Sequence, residues 1–352
     1  MLLNKTVKHV RVVPRRSADG VVRAVYDQAR KELGMLPDAV TMFSASPALA
    51  AATWAPFREA LLVAGHAPRV VKEAVAAQVS ALNECPYCVD AHTIMLYGGG
   101  AGSFATSLLS GTEFDGDPQL RAVADWAAGN MVRPAEPVPA PFPAEQVPEI
   151  VGTLVEFHFL NRVIDVLLEG TFLPGTDRAR KIARQVAGKV LSKRIKARRV
   201  PGEAAGLVGG HPLPADLSWA APAPGVAAAY AALAAVTDSE AQRVVPDSVV
   251  ELVNRTLDGW DGRFPGPSRA WLDGPVAGLP AADRSSGRLA LLTALAPFQS
   301  TDGDVEAYRT DYPDDADLLG LLTWSAFSAA RRIGAWSVPA SASGQYHTGT
   351  AA

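Results

Sequence analysis

The stretch RVVKEAVAAQVSALNECPYCVDAH, residues 69–92, decides the fold that we expect. In its first part, apolar side chains recur every three or four residues, which is typical of an amphipathic helix. This helix leads directly to Cys85 and Cys88, the only two cysteines in the chain. Alanine and leucine dominate the flanking sequence and strand-type alternation is scarce, so the sequence predicts an all-α fold. The apolar positions of the first helix are Val71, Ala74, Val75, Val79 and Leu82.

A second helix is predicted to begin at the cysteines. Proline is favoured at the first position of a helix, where its missing N–H costs nothing, so Pro86 predicts Cys85 as the N-cap and Cys88 in the first turn. The glycines at 98–100 predict the end of this helix. The unpaired N–H groups and the positive end of the helix dipole favour the thiolate form of Cys88. Because only a thiolate attacks a peroxide or a disulfide, Cys88 is the candidate nucleophile.

Two further side chains complete a candidate site. His92 lies four residues after Cys88, on the same face of the helix, and can accept the thiol proton and return it to a leaving alkoxide or hydroxide. Glu73, on the preceding helix, can orient that imidazole or extend the proton relay. The pattern predicts that Cys88 attacks the O–O bond of a hydroperoxide to give a sulfenic acid. Cys85 then resolves it to a disulfide, which an external dithiol reduces.

Composition narrows the class of protein. The chain has 352 residues, 48% of them hydrophobic, and a formal net charge of −3. This length suits about two domains of ordinary size, and this charge gives no reason to expect a nucleic acid or a membrane as partner. The N-terminus lacks the apolar stretch of a signal peptide, and two cysteines make no disulfide framework, so we expect a cytoplasmic protein.

The second half of the chain resembles the first, which predicts an internal duplication. On the register of this similarity, Cys85 and Cys88 lie opposite Gly259 and Gly262, so the second copy would keep the packing pattern without the thiols. Three pairs of segments carry the similarity, beginning at Leu36 and Leu213, beginning at Arg69 and Arg243, and surrounding Arg162 and Arg332.

These observations predict five segments. Residues 177–212 are rich in Arg and Lys at helical spacing without interleaved aromatic residues, which favours a solvated helix bridging two halves over a nucleic-acid-binding surface. Residues 339–352 are small and polar, which is typical of a disordered tail. The expected order is an N-terminal lead at 1–20, a helical domain with the cysteines at 21–176, a basic helical linker at 177–212, a degenerate repeat without cysteines at 213–338, and the tail at 339–352.

The run from Glu73 to His92 resembles the active-site segment of the alkylhydroperoxidase D and carboxymuconolactone decarboxylase-like superfamily. In that segment a Glu stands twelve residues before C-x-x-C, and three residues separate the second Cys from a His. The similarity covers roughly residues 35–175. It implies an alkylhydroperoxidase D-like helical fold, thiol-dependent peroxidase activity without a metal or other cofactor, a homo-oligomer, and a lipoyl-bearing or thioredoxin-like protein as the dithiol reductant.

Carried over by residue, the resemblance implies that Cys88 is the peroxidatic thiol, that Cys85 resolves it, and that His92 and Glu73 form the proton relay. Tyr87 stands where alkylhydroperoxidase D has a histidine, which leaves open its effect on the relay and on the substrate. The second half without thiols also departs from the single-domain members. Our hypothesis is that it supplies in cis the packing surface that a second subunit supplies in those members.

Other kinds of site fit the pattern less well. C-P-Y-C is also the glutaredoxin motif, but that fold needs a β-strand before the first Cys, where a helix is predicted here. Cys85, Cys88, His92 and Glu73 offer four zinc ligands, yet structural zinc usually takes a second Cys/His pair from elsewhere. Haem attachment needs a His directly after the second Cys, where this chain has Val89.

Two further functions stay open. The chain could be a non-catalytic helical module that binds a small apolar ligand between its halves, with vestigial cysteines. It could also act as a lactone decarboxylase, since members of that kind within the superfamily do not characteristically depend on the C-x-x-C pair.

Overall fold

The computed structural model describes residues 7–339, and within that range the chain is built from helices with no β-sheet. An isolated antiparallel bridge between Val7 and Leu168 joins the N-terminal segment to the end of a long helix. The all-α fold predicted from the sequence is confirmed. The α-helices are α1 (Gly20–Leu33), α2 (Asp38–Thr41), α3 (Pro47–Pro56), α4 (Arg69–Leu82), α5 (Pro86–Gly99), α6 (Gly102–Ser110), α7 (Pro118–Gly129), α8 (Val147–Leu167), α9 (Asp177–Ile195), α10 (Pro224–Val244), α11 (Asp247–Asp258), α12 (Asp273–Ala277), α13 (Arg284–Leu295), α14 (Asp302–Arg309) and α15 (Asp315–Ser337).

The two helices predicted from residues 69–92 are present. A left-handed turn at Glu84, with a φ of 57°, reverses the chain after α4 so that α5 packs against it. Pro86 is the first residue of α5 and Cys85 is its N-cap, as the sequence predicts. The helix ends at Gly100, whose φ of 100° is a conformation that glycine adopts without strain.

The core lies where the helices of the two halves meet. α8 packs against α15, and α3 packs against α10, so one continuous apolar cluster includes residues of both halves. A short π-helical stretch, Phe57–Leu62, continues α3 and packs against α8. α4 packs on α5, α7 and α8, which places the cysteine-bearing helix beside this core.

Helix α9 belongs to the segment predicted as a solvated bridge, but one of its faces is buried against α5. A Cβ on Gly188 would lie 2.9 Å from the backbone nitrogen of Gly98, so the two backbones are in close contact. The buried side chain of Arg184 pairs with Asp90 on α5, with 2.8 Å between Nε and Oδ1. Helix α9 therefore covers α5 with one face and is largely exposed on the other.

The structure also corrects part of the repeat register. Arg69 is the first residue of α4, whereas Arg243 lies in the last turn of α10, so these two arginines are not equivalent. A proline precedes both α4 and α11, so the two helices can be compared by counting from Pro68 and Pro246. Both segments contain the sequence R-V-V, but it begins α4 in the first half and lies at the end of α10 in the second half.

Counted from these prolines, Arg263 and Gly266 take the positions of Cys85 and Cys88, in place of Gly259 and Gly262. Both lie in the loop after α11. The division of the chain into five segments stays a prediction, and residues 340–352 of the expected tail lie outside the described range. None of the described helices combines the length and apolar composition needed to cross a membrane.

Candidate active site

The two cysteines lie together at the start of α5, below the protein surface. Cys85 is fully buried and Cys88 is 3% exposed, and the two side chains are close enough to form a hydrogen bond. Burial raises the pKa of the Cys85 thiol well above its usual value, and the neighbouring Cys88 and Asp165 raise it further. Both cysteines are free thiols in this structure.

His92 and Glu73 are joined by a hydrogen bond of 2.7 Å between Nδ1 and Oε2. The second carboxylate oxygen of Glu73 accepts a hydrogen bond of 2.6 Å from Nε of Arg69, one turn earlier on α4. Burial by itself would raise the pKa of Glu73, but the charges and hydrogen bonds of Arg69 and His92 hold it below its usual value. An ionised Glu73 therefore holds Nδ1 of the imidazole and leaves Nε2 as the nitrogen that can exchange a proton.

An apolar cavity of about 550 Å³ opens in front of these groups. Cys88, His92 and Glu73 line it, whereas Cys85 is not among its lining residues and lies behind Cys88. The His92 ring stands edge-on against Phe157, with 4.2 Å between ring centroids, so the imidazole is fixed on a second side. Apolar side chains from several helices and their connections form the walls, and the aromatic ones include Phe43, Trp54, Phe57, Phe157 and Phe172.

One wall of the cavity comes from α9. Val186 and Val190 line the cavity but are 56% and 75% exposed, so this side of the cavity is close to solvent. The Arg184–Asp90 ion pair ties the same helix to α5 near these valines. The position of α9 therefore controls how wide the cavity is beside Cys88.

Tyr87 lies in the wall of the cavity and stands between the two cysteines in sequence. Its ring meets Phe172 edge-on at 5.1 Å, and its hydroxyl accepts a hydrogen bond of 3.5 Å from the backbone N–H of Ala39 on α2. Burial raises the pKa of this phenol well above its usual value. Tyr87 is thus a neutral side chain that shapes the cavity wall and links α5 to α2.

A cluster of buried polar side chains lies between α4 and α8. Asn83 donates a hydrogen bond of 2.9 Å to Oδ1 of Asn161, and Asn161 donates one of 3.2 Å to Ser80. Arg162 is also buried, and its Nε donates to the carbonyl oxygen of Ala294, which belongs to the second half of the chain. Burial lowers the pKa of Arg162 to about 10, so this guanidinium keeps its charge at neutral pH.

The sequence pattern nominates Glu73, Cys85, Cys88 and His92, and the fold brings these four side chains together. It misses two residues that act on them, Arg69 and Phe157. The spacing of Arg69 and Glu73, four residues apart on one helix, is a signal that could have been used. Phe157 gives no such signal, because it is one of many apolar residues in a helix that is apolar nearly all round.

The pattern also misses Asp165, which lies beside Cys85. This residue is remote in sequence from the motif, and nothing in the neighbouring sequence marks it. Among the residues described, no group of three or more His, Cys, Asp or Glu side chains is arranged to hold a metal ion.

Comparison with known proteins identifies the family of the chain. Residues 48–128 match the model of the carboxymuconolactone decarboxylase family, and this range includes the Glu73 and Cys85–His92 positions. An alkyl hydroperoxide reductase of Mycobacterium tuberculosis is 45% identical to this chain over 342 residues, which cover 97% of each protein. The similarity therefore includes the second half as well as the cysteine-bearing half. The chain belongs to the alkylhydroperoxidase D and carboxymuconolactone decarboxylase-like superfamily.

Proposed function

We propose that the protein reduces organic hydroperoxides through a dithiol–disulfide cycle of Cys85 and Cys88. The observation that carries the proposal is that the two thiols occupy different places: Cys88 faces the cavity with His92, and Cys85 lies behind it. The thiol that meets a substrate is thus separate from the thiol that resolves the oxidised product. The name of the relative, alkyl hydroperoxide reductase, supports a peroxidase at the level of the family.

In the proposed reaction, His92 takes the proton of Cys88 through Nε2 while Glu73 holds Nδ1. The Cys88 thiolate attacks the outer oxygen of the hydroperoxide, the O–O bond breaks, and the protonated imidazole returns its proton to the leaving alkoxide. The products are an alcohol and a sulfenic acid on Cys88. Cys85 then attacks the Cys88 sulfur, which releases water and leaves a disulfide. An external dithiol reduces that disulfide, entering through the cavity because Cys85 is buried.

The cavity favours an apolar organic hydroperoxide as substrate. Its walls are almost wholly apolar, and the ionisable groups Glu73 and His92 stand with Cys88. Burying one aromatic substituent in such walls contributes about 1.5–3 kcal/mol. We therefore expect kcat/KM for cumene hydroperoxide to exceed that for hydrogen peroxide by about tenfold or more.

The test follows peroxide consumption with dihydrolipoamide or dithiothreitol as reductant, in wild type, Cys88→Ser and Cys85→Ser. Both variants should lose measurable turnover. After one exposure to cumene hydroperoxide, Cys85→Ser should carry a sulfenic acid on Cys88 that reacts with dimedone and is seen by mass spectrometry. Cys88→Ser should carry none, and circular dichroism should show that both variants are folded.

A second function is favoured by the size of the cavity, which would suit the storage or transport of a small apolar ligand. In that case the cysteines would be dispensable. Full turnover by Cys85→Ser, or no sulfenic acid in any form of the protein, would reject the peroxidase and leave ligand binding as the function of the cavity. Binding of cumyl alcohol, the unreactive product, measures that property independently of the thiols.

A further inference from the structure

Asp165 on α8 lies beside the Cys85 thiol, on the side away from the cavity. It is half-buried, and its Oδ2 atom is buried without a hydrogen-bond partner among the residues that the structure describes. A buried carboxylate oxygen without a partner is unfavourable and normally has a role. The group that lies next to it here is the resolving thiol.

Three side chains besides Asp165 set the charge and hydrogen bonding around its carboxyl. The pKa of Asp165 is raised to about 7 in total: burial raises it most, the hydrogen bond of the Cys85 thiol and the charge of Arg162 lower it, and the charge of Glu84 raises it. Arg162 comes from α8 itself, and Glu84 comes from the turn between α4 and α5. Asp165 can therefore gain or lose a proton near neutral pH, whereas a fully solvated aspartate is ionised throughout that range.

The two thiols of the pair need different proton acceptors. His92 lies on the cavity side with Cys88, and Cys85 does not line that cavity. Cys85 is also buried and its pKa is raised, so it holds its proton tightly until it reacts. A base on the far side of the pair is therefore needed if Cys85 is to attack at neutral pH.

We propose that Asp165 accepts the proton of Cys85 when Cys85 attacks oxidised Cys88, and returns it when the disulfide is reduced. This inference rests on the proposed dithiol cycle. It gives each thiol its own proton acceptor, His92 for Cys88 and Asp165 for Cys85.

Protons and electrons balance in this step. The Cys85 proton moves to the Asp165 carboxylate, and the sulfur electron pair forms the S–S bond with Cys88. The S–O bond of the sulfenic acid breaks, and hydroxide leaves as water with a proton taken from solvent in the cavity, because His92 has already returned its proton to the alkoxide. During reduction, the external dithiol gives two electrons to the disulfide and releases two protons, of which one protonates the Cys88 thiolate and the other returns to solvent. The released Cys85 thiolate takes its proton back from Asp165.

The experiment is a stopped-flow single turnover of reduced protein with cumene hydroperoxide, which separates sulfenic acid formation from disulfide formation. In wild type, the disulfide step should accelerate as pH rises through about 7, because only ionised Asp165 accepts a proton. Asp165→Asn should form sulfenic acid at the wild-type rate but form the disulfide about 100-fold more slowly at pH 8, without that inflection. Asp165→Glu should recover a large part of the rate.

A second arm replaces the peroxide with diamide, which oxidises a dithiol to a disulfide by adding one thiol and releasing a hydrazine when the other attacks. This arm measures the Cys85 step even if no hydroperoxide is a substrate, so failure of the proposed function and failure of this inference are distinguishable. Glu84→Gln is the matched control, because the charge of Glu84 raises the pKa of Asp165. In this variant the pH at which disulfide formation accelerates should fall, while the maximal rate of disulfide formation stays unchanged.

The proposal is overturned if Asp165→Asn forms the disulfide at the wild-type rate and with the wild-type pH dependence, with either peroxide or diamide. If that variant does not fold, the wild-type diamide profile decides, because a disulfide step without an inflection between about pH 6 and 8 is incompatible with Asp165 as the acceptor. Slowing of both the sulfenic acid step and the disulfide step by the same factor would indicate a structural role and would also overturn it.

Discussion

Helices α4 and α11 have similar sequence patterns but pack against different parts of the protein. Each starts after a proline, and each buries apolar residues at the same spacing: Val71, Val75 and Val79 in α4, and Val249, Val253 and Leu257 in α11. Counted from those prolines, Glu251 takes the place of Glu73. Glu73 is buried with two partners, whereas Glu251 is exposed.

The segment after each helix causes this difference. α4 leads into α5, and α5 is covered by α9, so the face that carries Glu73 is closed off from water. α11 leads into an irregular loop that packs against the first half, where the backbone N–H of Arg133 donates a hydrogen bond of 2.6 Å to the carbonyl oxygen of Asp261. Two helices of similar pattern thus have different roles: α4 carries a residue of the candidate site, and α11 packs without one.

The largest effect that we expect concerns the contact between the halves. Arg162 of α8 is buried, donates to the Ala294 carbonyl at 2.9 Å, and stacks over the Trp260 ring at 5.7 Å. Arg162→Ala leaves an unpaired carbonyl and a cavity, so the free energy of unfolding in urea should fall by about 3 kcal/mol or more. The variant should also move the inflection of the disulfide step to higher pH, since Arg162 lowers the pKa of Asp165.

The control is Arg332→Ala in α15, an arginine of the second half whose ion pair lies near the surface. The side chain of Arg332 is 43% exposed and that of its partner Asp258 is 65% exposed, so this ion pair should contribute less than about 1 kcal/mol. Equal losses of stability from the two substitutions would mean that the second half does not hold the first through Arg162.

The next effect concerns catalysis and compares Glu73 with Glu251, each the fifth residue after the proline that precedes its helix. Glu73→Gln removes the negative charge that holds Nδ1 of His92, so kcat/KM for cumene hydroperoxide should fall about 100-fold. Glu251→Gln should leave kcat/KM unchanged, because that side chain is exposed and distant in sequence from the thiols. The measurement is steady-state peroxide consumption under one reductant concentration.

A fall of similar size in both variants would show that the glutamates act through helix stability. A wild-type rate in Glu73→Gln would exclude the His92–Glu73 pair from the chemistry. Either outcome would leave the burial of Glu73 without a catalytic explanation.

The local part of the site was predictable because neighbouring residues in sequence determine it. Pro86 sets the start of α5, and a spacing of four residues sets His92 on the face of Cys88. The repeat register failed for the opposite reason. The letters at Arg243 match those at Arg69, but whether such a segment ends or begins a helix depends on Pro246 and on packing.

The rest of the site depends on contacts between distant parts of the chain. Asp165 reaches Cys85 only because α8 passes beside the start of α5, and no periodicity in the sequence reports that contact. The charge pattern of α9 correctly suggested a helix with a solvated face. It did not reveal that Gly188 allows the other face to approach α5 closely, since a lone glycine in a basic helix has no distinctive pattern.

The smallest effect that we expect tests the cover that α9 places on α5. In Gly188→Ala, the new Cβ would lie 2.8 Å from Cβ of Tyr97 and 2.9 Å from the Ile94 carbonyl oxygen. Because one of these neighbours is backbone, α9 must move away from α5, which should lower the free energy of unfolding by about 1–2 kcal/mol.

The same movement should widen the cavity beside Val186 and Val190 and weaken the contacts with an apolar substrate. We expect KM for cumene hydroperoxide to rise about threefold, with the rate of sulfenic acid formation from hydrogen peroxide unchanged, since a small peroxide makes little use of those walls. Gly274→Ala in α12 is the control: its Cβ meets nothing within 4 Å, so stability should stay the same or rise by up to about 1 kcal/mol. If Gly188→Ala changed neither stability nor KM, α9 would be only loosely attached to α5. The burial of Glu73 on α4, which Glu251 on α11 lacks, would then have to come from α5 alone.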